Sequence, residues 1–127
     1  MKSTATSVDY TLRKRSVLHD FKVGRLSRYD VCDAHPEMQR IAKNVGEETR
    51  SDCPVCGREK LRLLNFVFGD GLGNDNGRVF SSKAIFNGLR KKYPDFTCYV
   101  VEVCIDCNWN QLIRSIRFEQ RGGRKNV

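Results

Sequence analysis

The chain is 127 residues long, 39% hydrophobic and 30% charged, with 23 Lys and Arg against 15 Asp and Glu, a net charge of +8 and a pI near 9.4. One domain with a modest core fits that length, a polyanionic partner fits that charge, and a bound metal would help such a core hold together. No apolar stretch is long enough to span a bilayer, and the start MKSTATSVDYTLRKRS lacks the apolar run and cleavage site of a secretion signal, so a reduced, cytoplasmic protein with no membrane partner is expected.

Ser7 is a candidate N-cap, and Val8, Leu12, Leu18 and Phe21 form a loose apolar stripe, which predicts a helix that stops at Gly24. Ser27-Arg28-Tyr29-Asp30 opens a second, short helix carrying Val31 and Cys32, with Asp30 placed to reach back to Ser27. Pro36 ends that helix and suits the first position of a third. There Met38, Ile41, Ala42 and Val45 recur at helical spacing until Gly46. Residues 47–52 are polar and read as a boundary.

The pattern changes after that boundary. Residues 61–68 (LRLLNFVF) predict a strand, and residues 69–77 (GDGLGNDNG) a loop with several positive-φ positions. Ser81 or Ser82 caps a helix over 83–92, closed by Tyr93-Pro94. Residues 96–103 (FTCYVVEV) and 109–118 predict two more strands, and residues 121–127 (RGGRKNV) form a basic tail expected to lack structure until bound.

Two Cys-x-x-Cys pairs flank this second half: Cys53-Pro54-Val55-Cys56 and Cys104-Ile105-Asp106-Cys107. Together they supply four thiolates, the number a closed tetrahedral zinc site needs, and Gly57 suits the tight turn after the first pair. The rival reading is thiol–disulfide chemistry, but such a motif sits at a strand-to-helix junction, whereas here a strand follows. A structural iron–sulfur cluster shares the same four-cysteine requirement. Between Cys56 and Cys104 lies a far longer gap than the roughly 15–20 residues of the compact pattern, filled by a strand, a loop and a helix. One structural Zn2+ on Cys53, Cys56, Cys104 and Cys107 is therefore expected, in an α+β fold. A helical N-terminal module (1–50) packs on a three-stranded four-cysteine zinc ribbon with an inserted loop and helix (51–120), followed by the basic tail (121–127).

Cys32 and His35 form half of a second candidate metal site, which His19 and Cys98 would have to complete from distant parts of the chain. The plainer expectation is that His35 marks a helix boundary and Cys98 lines the core. The glycine-rich loop lacks the Gly-Lys-Ser/Thr ending of a phosphate loop, misses the dinucleotide spacing by one residue, and carries Leu72 where a calcium loop needs oxygen. A turn is the default, with a weaker reading in which its amides and Arg78 cradle a backbone phosphate.

Basic residues gather in three places. Arg13, Lys14 and Arg15 stand with Lys22, Arg25 and Arg28; Arg90, Lys91 and Lys92 form a second run; Arg114, Arg117, Arg121, Arg124 and Lys125 form a third. Residues 1–32 are net basic and residues 33–52 net acidic, so positive charge is segregated, as phosphate contact requires. Trp109, Phe66, Phe68 and Tyr99 either cover the metal and fill the core or offer faces for stacked bases.

The run Asp30-Val31-Cys32-Asp33-Ala34-His35-Pro36-Glu37, the CPVC knuckle, Phe68-Gly69-Asp70, Asn76-Gly77-Arg78 and Val101-Glu102-Val103-Cys104-Ile105-Asp106-Cys107-Asn108-Trp109-Asn110 resemble a small actinobacterial family of unknown function. The likeness spans most of residues 8–118, and it implies a cytoplasmic bacterial protein with zinc but no established activity. More loosely, the knuckles are similar to zinc ribbons of ribosomal proteins and of transcription-machinery factors, from which the long insertion departs.

These features lead to a non-enzymatic RNA-binding protein, most concretely a ribosome-associated factor contacting rRNA phosphates. A transcription factor docking on RNA polymerase or DNA is the first alternative, although the helix at 36–45 offers only Arg40 and Lys43 to a groove and begins at Glu37. A basic protein–protein interaction adaptor is the second. An enzyme with a small-molecule substrate is least expected, because only two histidines exist, neither lies near a motif with a nucleophile and base, and the metal site looks closed.

Overall fold

The computed structural model describes residues 3–120. In chain order these form β1 (Ser3–Asp9), α1 (Thr11–Lys22), α2 (Arg28–Val31), α3 (Pro36–Val45), β2 (Glu47–Asp52) and β3 (Lys60–Phe68). A single 3-10 turn (Gly73–Asp75) follows, then α4 over 82–92, β4 (Phe96–Val103) and β5 (Asn110–Gln120). The middle of α4, Ile85–Leu89, is wound as a π-helix. Five strands make one antiparallel sheet in the order β1-β5-β4-β3-β2. No described helix is long and apolar enough to cross a membrane.

Strand alternation sorts the side chains onto two faces. Leu63, Asn65 and Val67 pair across from Glu102, Val100 and Cys98 on the first face, while Leu64, Phe66 and Phe68 pair across from Val101, Tyr99 and Thr97 on the second. On the first face, Ile85 and Leu89 of α4 and Leu72 of the loop cover Val67, Phe96, Cys98, Val100 and Phe118. The rings of Phe96 and Phe118 stack there at 4.7 Å. Toward the cysteine end of that face, Val17, Leu18 and Phe21 of α1 and Val31 of α2 pack on Leu61, Trp109 and Cys104. On the second face, α3 lays Met38, Ile41 and Ala42 over Leu64, Phe66, Val101 and Val103.

Local signals and structure agree where the signals are chemical. Ser27 and Asp30 make a reciprocal capping box at α2, Pro36 occupies the first turn of α3, and Ser81 caps α4. The strand expected over 96–103 forms with those bounds.

Two expectations need correction. The sheet has five strands, not three, because the segment expected to be a helical module supplies both of its edges. Residues 47–52 form β2, which pairs with β3 around a bulge between Glu48 and Asp52. An edge strand that faces water is free to be polar, so EETRSD carries no apolar alternation to announce it. Likewise Ser7 is no helix cap; it lies in β1 opposite Ile116. The helix starts after it, with the Asp9 carboxylate accepting from the Thr11 amide at 2.7 Å.

One buried carboxylate joins the two parts of the first face. Glu102, with its side chain only 5% exposed, accepts from Trp109 Nε1 at 2.9 Å and from Lys14 Nζ of α1 at 2.8 Å. A carboxylate so placed needs its partners, since an unpaired buried charge is costly. Replacing Lys14 by Met (Lys14→Met) is expected to cost about 2–3 kcal/mol in a urea unfolding titration, and an unchanged midpoint would show that α1 is not held this way.

Candidate metal centre

The two knuckles meet because of strand pairing. Cys53 and Cys56 lie in the connection from β2 to β3, and Cys104 and Cys107 in the connection from β4 to β5. Antiparallel pairing sets Arg62, near the start of β3, opposite Val103 at the end of β4, so both connections emerge at one end of the sheet. The connections repeat the same backbone plan. Gly57 N–H donates to Cys53 O at 2.9 Å, and Asn108 N–H to Cys104 O at 3.2 Å. Both following residues turn through the left-handed region, Gly57 at φ 67° and Asn108 at φ 72°. Asn tolerates that conformation better than most side chains, a signal at position 108 that the sequence reading overlooked. Each knuckle is then tied to its strand by Cys53 N–H to Glu59 O and Cys104 N–H to Trp109 O.

All four Sγ atoms lie within 4.8 Å of one another. Cys53 and Cys107 are 3.7 Å apart and Cys56 and Cys104 3.6 Å apart. A regular tetrahedron with metal–sulfur bonds of about 2.3 Å has sulfur–sulfur edges of about 3.8 Å, so the spacing fits one metal ion. Backbone amides already point at the sulfurs: Val55 N–H at Cys53, Arg58 N–H at Cys56, and both Asp106 and Cys107 N–H at Cys104, over 3.4–3.5 Å. Such donors favour thiolate over thiol. Across the top, Arg58 of one knuckle pairs with Asp106 of the other at 2.5 Å, and this guanidinium holds the Asp106 carboxyl below its usual range.

Without an ion the arrangement is unfavourable for charge. Burial pushes the Cys53 thiol up, the Cys104 thiol to about 11 and the Cys107 thiol to about 12. Burial acts the same way on Cys56, but the Arg58 N–H and the neighbouring thiols outweigh it and leave that group below its ordinary value. The raised thiols must therefore lose their protons as a cation enters, and a cation is what makes four adjacent thiolates tolerable.

The second candidate site is not assembled. His35 Nδ1 accepts from Glu37 N–H at 3.0 Å and caps α3, His19 lies exposed in the last turn of α1, and Cys98 is buried beneath α4. Among the described residues the four knuckle cysteines are the one metal-ligating cluster of three or more side chains. Cys32, however, has its Sγ 3.5 Å from Cys107 Sγ. Its Cys-x-x-His spacing points to His35, and nothing in the sequence pairs it with a knuckle more than seventy residues away.

Several of the basic residues have partners within the fold. Lys14 is committed to Glu102, Arg25 pairs with Asp20 at 3.3 Å, and Asp75 takes Arg78 at 3.5 Å and Lys92 at 3.9 Å. Arg90 stacks over Phe86 and Phe118. Strand alternation sends Arg114 and Arg117 to opposite faces, and Arg117 donates to Thr97 Oγ1 at 3.3 Å. Among the described residues no ion pair involves Arg13, Arg15, Lys22, Arg28 or Lys91. Arg121, Arg124 and Lys125 lie outside the described residues, as does the expected tail.

The glycine-rich loop bonds to itself. Gly69 N–H donates to Asn76 Oδ1 at 2.9 Å, and the amides of Leu72, Asp75, Asn76, Gly77 and Arg78 all go to carbonyls of the loop or of β3, which argues against a phosphate cradle. Of the aromatics, Trp109 is fully buried against the knuckles and Phe66 lies partly under α3. Phe68 and Tyr99 stay exposed and meet edge to face at 5.7 Å.

Chelation should act locally. Removing the ion is expected to release hydrogen-exchange protection in α1, α2 and both knuckles, while β4 and β5 around Phe96 and Phe118 keep theirs, because that cluster lies apart from the cysteines. Metal uptake should weaken as pH falls, since the raised thiols of Cys104 and Cys107 must lose protons to bind. Protection unchanged throughout the chain after chelation would contradict a structural role for the ion.

The chain matches the family described as a family of unknown function, DUF5318, over residues 1–126. It is 41% identical over 108 residues to the "Uncharacterized protein Rv0049" of Mycobacterium tuberculosis and to the "Uncharacterized protein Mb0050" of Mycobacterium bovis, covering 85% of this chain and 78% of each relative. No solved structure matches it. The expected actinobacterial kinship therefore holds, and the chain belongs to the DUF5318 family.

Proposed function

We propose that the four thiolates hold one structural Zn2+ and that the sheet it braces binds single-stranded RNA, with ribosomal RNA the most concrete target. Zinc suits the donor set, because four thiolates close the coordination sphere and leave no position for a substrate. Sulfur edges of 3.6 and 3.7 Å enclose a single ion, whereas a multi-iron cluster needs its thiolates spread to reach separate iron atoms. Bound zinc would fix the knuckles and supply no reaction.

The RNA reading rests on the strip of the second face that α3 leaves open. Phe68 on β3 and Tyr99 on β4 are 43% and 36% exposed there. Register continues the strip through Thr97 and Ser115 to Arg117 on β5 and Thr6 on β1. Paired rings offer π faces to unstacked bases, and hydroxyls with a guanidinium suit phosphates and 2′-hydroxyls. The excess of Lys and Arg over Asp and Glu, with Arg13, Arg15, Lys22 and Lys91 outside any described ion pair, adds longer-range attraction. Ribosomal RNA is preferred among RNAs because the knuckles resemble ribbons of ribosomal proteins.

Anisotropy of a labelled, unstructured RNA oligonucleotide tests the reading. Tyr99→Ala and Phe68→Ala are each expected to weaken binding by about 1–3 kcal/mol. Arg13→Gln with Arg15→Gln should reduce the salt dependence while leaving the aromatic contribution intact. Absence of binding at low salt, tighter binding to duplex DNA, or aromatic variants that bind like the parent would contradict it.

A further inference from the structure

Cys32 is the one thiol in contact with the metal-ligating set that the tetrahedron does not use. It ends α2 as its C-cap residue and is only partly buried. Its sulfur stands 3.5 Å from Cys107 Sγ, closer than the 3.7 Å that separates Cys107 from its fellow ligand Cys53. A surface depression of about 340 Å³ is lined by Arg28, Tyr29, Cys32 and Cys107, so both cysteines border the same opening to solvent. Packing alone would be served by an apolar side chain. A partly exposed thiol within reach of a second sulfur has the surroundings of an oxidisable pair.

We propose that Cys32 is a peroxide-modified site whose resolving partner is Cys107, so that oxidation removes one ligand from the metal centre. This rests on the metal reading for its consequence but not for its chemistry. The Cys32 thiolate attacks one oxygen of hydrogen peroxide; the O–O bond breaks, Cys32 becomes a sulfenic acid, and hydroxide departs. Cys107 sulfur then attacks the Cys32 sulfur, forming the S–S bond as the S–O bond breaks and a second hydroxide leaves. Two thiols lose two electrons and two protons, and one peroxide becomes two waters. The product welds the end of α2 to the second knuckle and leaves Cys53, Cys56 and Cys104 as an incomplete set. The site thus makes the metal end of the fold responsive to hydroperoxides.

The test treats the purified full-length protein with one equivalent of hydrogen peroxide, alkylates the remaining thiols in denaturant, and maps disulfides without reduction. Cleavage before Asp106 separates Cys104 from Cys107, so the two partners are distinguishable. A Cys32–Cys107 bond is the expected product, and a chromogenic chelator should report metal release that slows about tenfold in Cys32→Ser and Cys32→Ala. A bond within either Cys-x-x-Cys pair, or release at the parental rate in both variants, would overturn the proposal. If the untreated protein contains no metal yet forms the Cys32–Cys107 bond, the oxidation site stands and the metal reading falls.

Discussion

Four sulfurs held within 4.8 Å at one end of a sheet are the constraint on which the metal end of this protein depends. Neutral thiols in that space gain little from one another, and ionised ones repel. Burial already drives Cys104 and Cys107 away from the thiolate form, so only a cation makes the geometry favourable. Around the sulfurs pack Val31, Leu61 and Trp109, with Val17, Leu18 and Phe21 against them. Neither α1 nor α2 has a large buried face of its own, and α1 buries no residue fully. Their apolar contacts run to the knuckle cluster, and Lys14 adds the tie from α1 to Glu102.

The rest of the sheet stands on different terms. Phe96 and Phe118 stack beneath α4 with Val67, Cys98 and Val100, in a core that needs no ion. Glu102 is the bridge between the two regions, since its carboxylate holds Trp109 at the metal end and Lys14 of α1 at once. The second face divides in the same way. α3 covers the half that runs toward the cysteines, and the half carrying Phe68 and Tyr99 faces solvent. Four clustered cysteines at one end and an aromatic strip at the other are thus parts of one sheet, linked through β3 and β4.

What could be read from the sequence was what local chemistry determines. The Cys-x-x-Cys spacing marked the four sulfurs that the fold gathers, and Ser27 with Asp30, Pro36 and Ser81 marked helix starts that form as expected. Dense β-branched and aromatic content marked β4 to its last residue. What escaped was set by distant partners. β1 and β2 are polar edge strands whose pairing with β5 and β3 leaves no alternation in STATSVD or EETRSD strong enough to distinguish them from a cap and a linker. The thiol of Cys32 looked like half of a separate site because its neighbour, Cys107, arrives through the fold. Lys14 reads as one more phosphate ligand in the sequence, whereas the fold pairs it with Glu102, and Arg114 and Arg117 read as one patch that strand alternation divides.

X-ray absorption at the metal edge of the purified protein tests the central claim most directly. The account predicts one zinc per chain with four sulfur neighbours at about 2.3 Å and no nitrogen or oxygen in the shell. A mixed shell containing light donors, a metal–metal distance, or the absence of any bound metal would contradict it.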